Sequence, residues 1–321
     1  MKRKARAGAE SFLVAAVQAA PVLLDREATV DRVVKLVAEA GRKGARLAVF
    51  PETFVPGYPL WVWGQRVWNQ ASRDWHARLI EQSVVVPGPA TERIGKAARA
   101  AKTCVAVGVN ERDTHGGTVY NTLLYFDDRG ELLGKHRKLM PTGGERLVWG
   151  AGDGSTLPVF DTTVGRLGGL ICWENYMPLA RTAMYAQGVE VWVAPTWDHA
   201  EPWISSLRHL AREGRMYVVG VGTAQRAADI PVGFPNREKL LSDGEEWLNE
   251  GWSMICGPEG EVLAGPLVKE IGILYAEVDL ARVRSAKLEF DAVGHYSRPD
   301  VFRLTVNTTP AGGVEFDQAP G

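Results

Sequence analysis

The feature that most constrains this chain is a repeated alternation of short β-rich runs with amphipathic helical patterns. A strand over 12–17, a helix over 27–42 with apolar residues at Val30, Val33, Val34, Val37 and Ala38, and a strand over 47–50 make a βαβ opening. The alternation continues with a helix over 91–101, strands over 104–109 and 118–126, and an Asp-Asp-Arg-Gly turn leading into 131–134. Further strands are predicted over 167–171, 189–194, 217–222, 253–256 and 271–278, with helices over 178–187 and 204–213. Strands and helices in this order build an α/β layered domain, with helices covering sheet faces.

The segments YFDDRGELLG and ICGPEGEVLAG share the order strand, Gly-containing turn, Glu-x-Leu and closing Gly. They point to two similar hairpins in two similar sheets, although any tight hairpin shares that order. The polar segment 225–251, with Pro231 and Pro235, reads as a surface excursion and not as a linker. The 321 residues are therefore expected to form one domain over 1–321, with flexible ends at 1–10 and 308–321.

Lys and Arg number 37 against 38 Asp and Glu, a formal net charge of −1. That balance lacks the basic footprint needed for nucleic acid or an anionic membrane, so the expected partner is a small molecule. Cys104, Cys172 and Cys256 are odd in number and widely spaced, which fits neither a disulfide framework nor a zinc site. The basic start MKRKARAGAE is followed only by the short run FLVAAV, with no small-residue cleavage pattern, and no apolar run approaches the roughly 20 residues that cross a bilayer. The expectation is a soluble, cytoplasmic protein.

Three reactive side chains follow apolar strands directly: Glu52 after LAVFP, Lys138 after ELLGKHR, and Cys172 after GRLGGLI. Strand ends in α/β sheets are where loops present polar groups on a rigid base, so the three can converge in space. A Cys in an apolar stretch is by default a small buried hydrophobe. At Cys172 the context differs, because Trp173, Glu174 and Asn175 lead into a helix whose N-terminus would favour thiolate. Cys104 and Cys256 lack that setting and read as structural. Lys138 ends the KHRK cluster, which on composition alone is a solvated loop, yet Leu139-Met140-Pro141 suggests that it turns inward. A buried lysine there could hold negative charge developing on a substrate. Glu52 lies among prolines and Tyr58, and desolvation in such a loop raises a carboxylate's basicity for general-base work.

Four segments, FPETFVPGYP, KHRKLMPTGGERLVWGAGDGS, GGLICWENYMPLAR and HYSRPDVF, resemble the signature regions of the nitrilase superfamily and of its true nitrilase branch. The likeness extends over 12–302, and the Cys-Trp-Glu start is what separates nitrilases from the amidases and carbamoylases of the superfamily. The resemblance implies an α-β-β-α four-layer sandwich of two mixed sheets flanked by helices. It implies a Glu-Lys-Cys triad at Glu52, Lys138 and Cys172, with a second glutamate, Glu145, beside it. It also implies a nitrile substrate and a homo-oligomer, a dimer or larger, paired through helical faces such as 178–187. The chain stops soon after HYSRPDVF, whereas many plant and fungal nitrilases run on, which bears on whether the family's spiral assemblies apply.

Tyr58, Trp173 and Trp197 are nearest to the expected site and are candidates for the walls of an apolar pocket; the other tryptophans read as core or interface. No Walker, GxGxxG or GxSxG motif appears, and the histidines show no HExxH or similarly spaced pair, so no cofactor and no metal are expected. A Cys-His hydrolase using His199 or His209 has nothing that fixes either ring near Cys172. Remaining alternatives are an aliphatic amidase or carbamoylase on the same scaffold, and a catalytically silent assembly protein of that fold.

Overall fold

In the first strand, β1 (Ser11–Gln18), Phe12, Val14 and Ala16 face one core while Ala15 and Val17 face another. Both faces are covered, so the run lacks the polar alternation of a half-exposed strand. The computed structural model describes residues 11–311 apart from 65, 67 and 115.

β1 is parallel to β2 (Ala45–Val49), which is parallel to β3 (Cys104–Arg112). β4 (Val119–Phe126) and β5 (Leu132–Arg137) continue antiparallel, so β5 again runs with β2 and β3. The second sheet begins with the antiparallel pair β6 (Val159–Thr162) and β7 (Gly165–Gly169). β8 (Val191–Thr196) and β9 (Tyr217–Gly222) are parallel to β7. β10 (Ala224–Arg226), β11 (Trp247–Cys256) and β12 (Val262–Val268) add antiparallel partners. The last strand, β13 (Gly272–Asp279), returns to the first sheet as the antiparallel neighbour of β1.

Val14, Leu47 and Leu123 of the first sheet pack against Val191, Val193 and Val219 of the second, forming the core between sheets. Outside the first sheet lie α1 (Arg26–Arg42) and α3 (Pro89–Ala101), which follows α2 (Gln70–Gln82) in the chain. α1 buries Val30, Val33, Val37 and Ala40 at helical spacing, and Asp25 caps its start by accepting the Ala28 amide at 2.9 Å. Outside the second sheet lie α4 (Pro178–Tyr185) and α5 (Glu201–Gly214), through Ala180, Met184, Trp203 and Leu207. The layers are therefore α-β-β-α, as the resemblance implies. The two echoing segments are the β4–β5 and β11–β12 hairpins, one in each sheet. Their turns coincide: Gly130 donates to the Asp127 carbonyl at 3.0 Å and Gly260 to that of Gly257 at 2.9 Å, with φ of 81° and 82°.

Several expectations need correction. The 225–251 segment is only partly an excursion: a short helix α6 (Arg237–Leu240) lies in it, but β10 and the first half of β11 belong to the sheet. The inward residues of that half are Asn249 and Gly251, which carry no hydrophobic pattern. β6, α2 and α7 (Leu280–Ala286) are additional elements, with α2 burying Ala71, Ser72, Trp75 and Leu79. Of the two ends expected to be flexible, 1–10 and 312–321 lie outside the described residues. Residues 308–311 are exposed, yet the Ala311 amide donates to Asp153 Oδ2 at 2.8 Å.

Candidate active site

Glu52 follows β2, Lys138 follows β5 and Cys172 follows β7, each within three residues of the strand's end. β2 and β5 point the same way, so Glu52 and Lys138 emerge beyond the same end of the first sheet's strands, and Cys172 meets them from the second. Gly108 of β3 makes this possible on one side: a Cβ there would sit 2.3 Å from the Pro51 carbonyl oxygen, against which the Glu52 loop packs. Gly169 does the same before Cys172, where a Cβ would lie 1.9 Å from the Val193 oxygen.

Lys138 is fully buried, and its Nζ donates to Glu52 Oε1 at 2.7 Å and to Glu145 Oε2 at 2.8 Å. The expected solvated alternative for KHRK is resolved by the pleat: Lys135 and Arg137 pair with Glu111, while His136 and Lys138 point into the interior. Asn121 Nδ2 adds a second donor to Glu52 Oε1 at 2.6 Å. Glu52 Oε2 is buried and has no partner among the described residues. Glu145 is 1% exposed and not a solvated charge. It accepts the Tyr58 hydroxyl at 2.7 Å and the Thr142 amide at 2.6 Å, beside its bond from Lys138.

Burial raises the Glu52 carboxyl, with Lys138 opposing and Glu145 adding. For Lys138 burial works against the charge, but Glu52, Cys172 and Glu145 outweigh it and hold the ammonium charged. Burial, then the Glu52 charge, pushes the Cys172 thiol up to about 12, with Lys138 acting the other way. The expectation that a helix N-terminus would favour thiolate is therefore not met. Cys172 opens a single 3-10 turn, Cys172–Tyr176, and α4 starts only at Pro178.

Cys172 has a φ of 53°, in the left-handed region that costs a non-glycine residue about 1 kcal/mol or more. Asn175 holds that conformation: its Nδ2 donates to the carbonyls of Cys172 at 2.7 Å and Leu170 at 3.0 Å, and its Oδ1 accepts from Trp192. Sγ accepts a hydrogen bond from the Thr196 hydroxyl at 3.2 Å. Glu174, two residues on, accepts from His136 Nε2 at 2.9 Å and from the amides of Leu139 at 2.6 Å and Ile171 at 2.9 Å.

A cavity of about 840 Å³ opens onto Cys172 and Glu145. Tyr58, Trp173 and Trp197 all line it. Tyr58 and Trp197 are buried and stacked, with centroids 4.3 Å apart and planes at 11°. Trp173 is half exposed at the mouth, its indole donating to Asp198 Oδ2 at 2.8 Å. Trp63, Met140, Met177 and Leu248 complete the apolar lining. Among the described residues no group of three or more His, Cys, Asp or Glu side chains is set to hold a metal ion. His209 pairs with Glu213 on its own helix, and His199 lies on the cavity wall.

Asn121 and Thr196 were not singled out from sequence. Asn121 interrupts the apolar run VYNTLLYF, and Thr196 closes the buried run VWVAPT at a strand end like those preceding Glu52 and Cys172. Those two placements were the available signals.

The family model for carbon–nitrogen hydrolases matches residues 13–288. The chain is 44% identical over 309 residues to Nitrilase 2 of Arabidopsis thaliana, covering 94% of this chain and 90% of that protein. It is equally identical over 316 residues, 94% of this chain and 88% of the other, to a bifunctional nitrilase/nitrile hydratase of Lupinus angustifolius. In structure it is similar to a carbon–nitrogen hydrolase from Helicobacter pylori G27, with a TM-score of 0.71 at 20% identity over 91% of this chain and 97% of that one.

Proposed function

Since the chain belongs to the carbon–nitrogen hydrolase family and, within it, to the nitrilases, we propose that Cys172 is the nucleophile through which it converts an organic nitrile to the carboxylic acid and ammonia. The observation that carries this reading is the buried cluster of Glu52, Lys138 and Glu145 around Cys172, with Glu52 Oε2 free to take a proton.

A thiol pushed up to about 12 does not ionise unaided at neutral pH, so it needs a base at hand. Glu52, its carboxyl raised by burial, accepts the thiol proton as Sγ attacks the nitrile carbon. The nitrile nitrogen gains the electron pair of the broken π bond and then the proton, giving a thioimidate. Lys138 stabilises the negative charge on that nitrogen in passing. Glu52 next deprotonates a water that adds to the same carbon. The protonated nitrogen leaves as ammonia, a thioester remains, and a second water releases the acid and the thiol. Glu145 holds Lys138 and Tyr58 in place and favours the ammonium form of the departing nitrogen. Tyr58, Trp173 and Trp197 enclose the organic part of the substrate.

We read the whole chain as one hydrolase domain working as at least a dimer. Its three cysteines are free and buried, which suits the reducing cytoplasm. No helix among the described residues is long and apolar enough to cross a membrane.

The test is Cys172→Ala, which removes the sulfur and little volume. Wild-type protein quenched during turnover gains the mass of a substrate adduct on the Cys172 peptide, whereas the variant folds, gains none and releases no ammonia. Incubation with a nitrile and its matching amide separates a nitrilase from an amidase of the same fold. An alanine variant that still hydrolyses nitrile sinks the nucleophile assignment.

A further inference from the structure

Thr196 is fully buried at the end of β8, in a run where valine would pack equally well. A hydroxyl in such a place is unfavourable unless both its functions are used, and here both are. Oγ1 accepts the Asp198 amide at 2.8 Å and donates to Cys172 Sγ at 3.2 Å. The bond from Asp198 turns the hydroxyl proton away from the backbone, and the sulfur is its one acceptor among the described residues. Asp198 is itself tied to the nucleophile's neighbour, since its carboxylate accepts the Trp173 indole. The donor is thus fixed in direction from two sides.

We propose that Thr196 is a catalytic residue, whose hydroxyl stabilises the Cys172 sulfur whenever it carries negative charge. This rests on Cys172 being the nucleophile. Negative charge on sulfur can appear three times in the reaction, the last when the second water expels the thiol from the thioester. It appears first when the thiol proton passes to Glu52 and the sulfur lone pair attacks. It appears again if the C–S bond breaks at the intermediate in which one carbon bears sulfur, oxygen and nitrogen. There, breaking C–N with the nitrogen protonated expels ammonia and leaves the thioester. Breaking C–S instead returns the electron pair to sulfur and releases the amide. A donor on sulfur assists the attack and also the second branch, so Thr196 trades some of the acid product for a faster start.

Thr196→Val keeps the shape and removes the donor, and Thr196→Ser keeps the donor and removes a methyl. Both full-length variants are treated with iodoacetamide across a pH series, and the Cys172 peptide is followed by mass spectrometry as the S–C bond forms and iodide leaves. Loss of a hydrogen bond to a charged sulfur predicts alkylation roughly tenfold slower at neutral pH for the valine variant, with its profile displaced upward by about one pH unit. The serine variant follows the wild type. Acid and amide made from one nitrile are measured in parallel, and the valine variant's amide share falls or stays at zero. A folded valine variant whose alkylation profile overlies the wild type, or whose amide share rises, overturns the proposal. Should valine not fold, Thr196→Ala removes the same donor and carries the same expectations. Alkylation needs no turnover, so it decides the role of Thr196 even if no nitrile is hydrolysed, an outcome that would count against the proposed function alone.

Discussion

At Glu145 both carboxylate oxygens are engaged, one by Tyr58 and the other by Lys138 and the Thr142 amide. Such a residue cannot act as a freely moving base; its effect is through the charge it presents and the ammonium it holds. Once water has added to the thioimidate, the leaving group is decided by which atom carries the proton, and a nearby carboxylate favours proton on nitrogen. Glu145→Gln keeps the size and removes the charge. It is expected to lower acid formation by on the order of 10²-fold and to raise the amide share of the remaining product. This is the opposite product shift to the one expected at Thr196, so the two variants together separate a sulfur effect from a nitrogen effect. Chromatography of acid and amide from a single nitrile decides it. Unchanged rate and ratio would make Glu145 a structural cap of its own 3-10 turn.

Between elements, the carboxylate of Glu174 is the joint: it bonds the end of β5 through Leu139, the approach to Cys172 through Ile171, and His136. His136 is fully buried with both ring nitrogens bonded, Nδ1 to the Thr156 carbonyl at 2.5 Å. Burial disfavours its charge, but Glu174 and the Thr156 bond outweigh burial and raise the ring above its ordinary 6.5. The fold therefore favours imidazolium. Its contribution is fully present below 6.5 and is lost as pH rises through the higher folded value. His136→Gln, which does not titrate, should destabilise the protein by about 3 kcal/mol in acid, with the difference from wild type shrinking at alkaline pH. Urea unfolding at a series of pH values measures that difference, and a gap constant with pH refutes it. The histidine pair also marks the boundary of what sequence disclosed. β1, β3, β4 and β9 were legible as short, largely apolar runs of strand length, and α1 and α3 because their apolar residues recur near every fourth position. The first half of β11 was not, since its inward face is Asn249 and Gly251. Glu52, Lys138 and Cys172 stood out as reactive groups after apolar runs. Asn121 and Thr196 left only a break in, or the end of, an apolar run, and Glu174 only its place in Cys-Trp-Glu, because the partners that give the three their roles are distant along the chain.

At the scale of the molecule, the start of α4 leaves Tyr176, Met177 and Leu179 exposed at 40%, 36% and 68%, next to half-exposed Trp173. Large apolar side chains grouped beside a cavity mouth are a natural contact for a second copy. The working form is therefore expected to be at least a dimer. Light scattering at assay concentration should give a mass of two or more chains, and Leu179→Asp should lower both that mass and activity. A fully active monomer would exclude the idea. The acid–base groups stand on one sheet and the sulfur on the other, so how closely they approach depends on the spacing that the hydrocarbon layer of Val14, Leu47, Val193 and Val219 sets between the sheets. That layer is a gauge block for the reaction. A methylene gained or lost deep in it, out of reach of any substrate, alters the gap across which a proton must pass. The tolerances on those valines and leucines are thus set by chemistry as well as by folding.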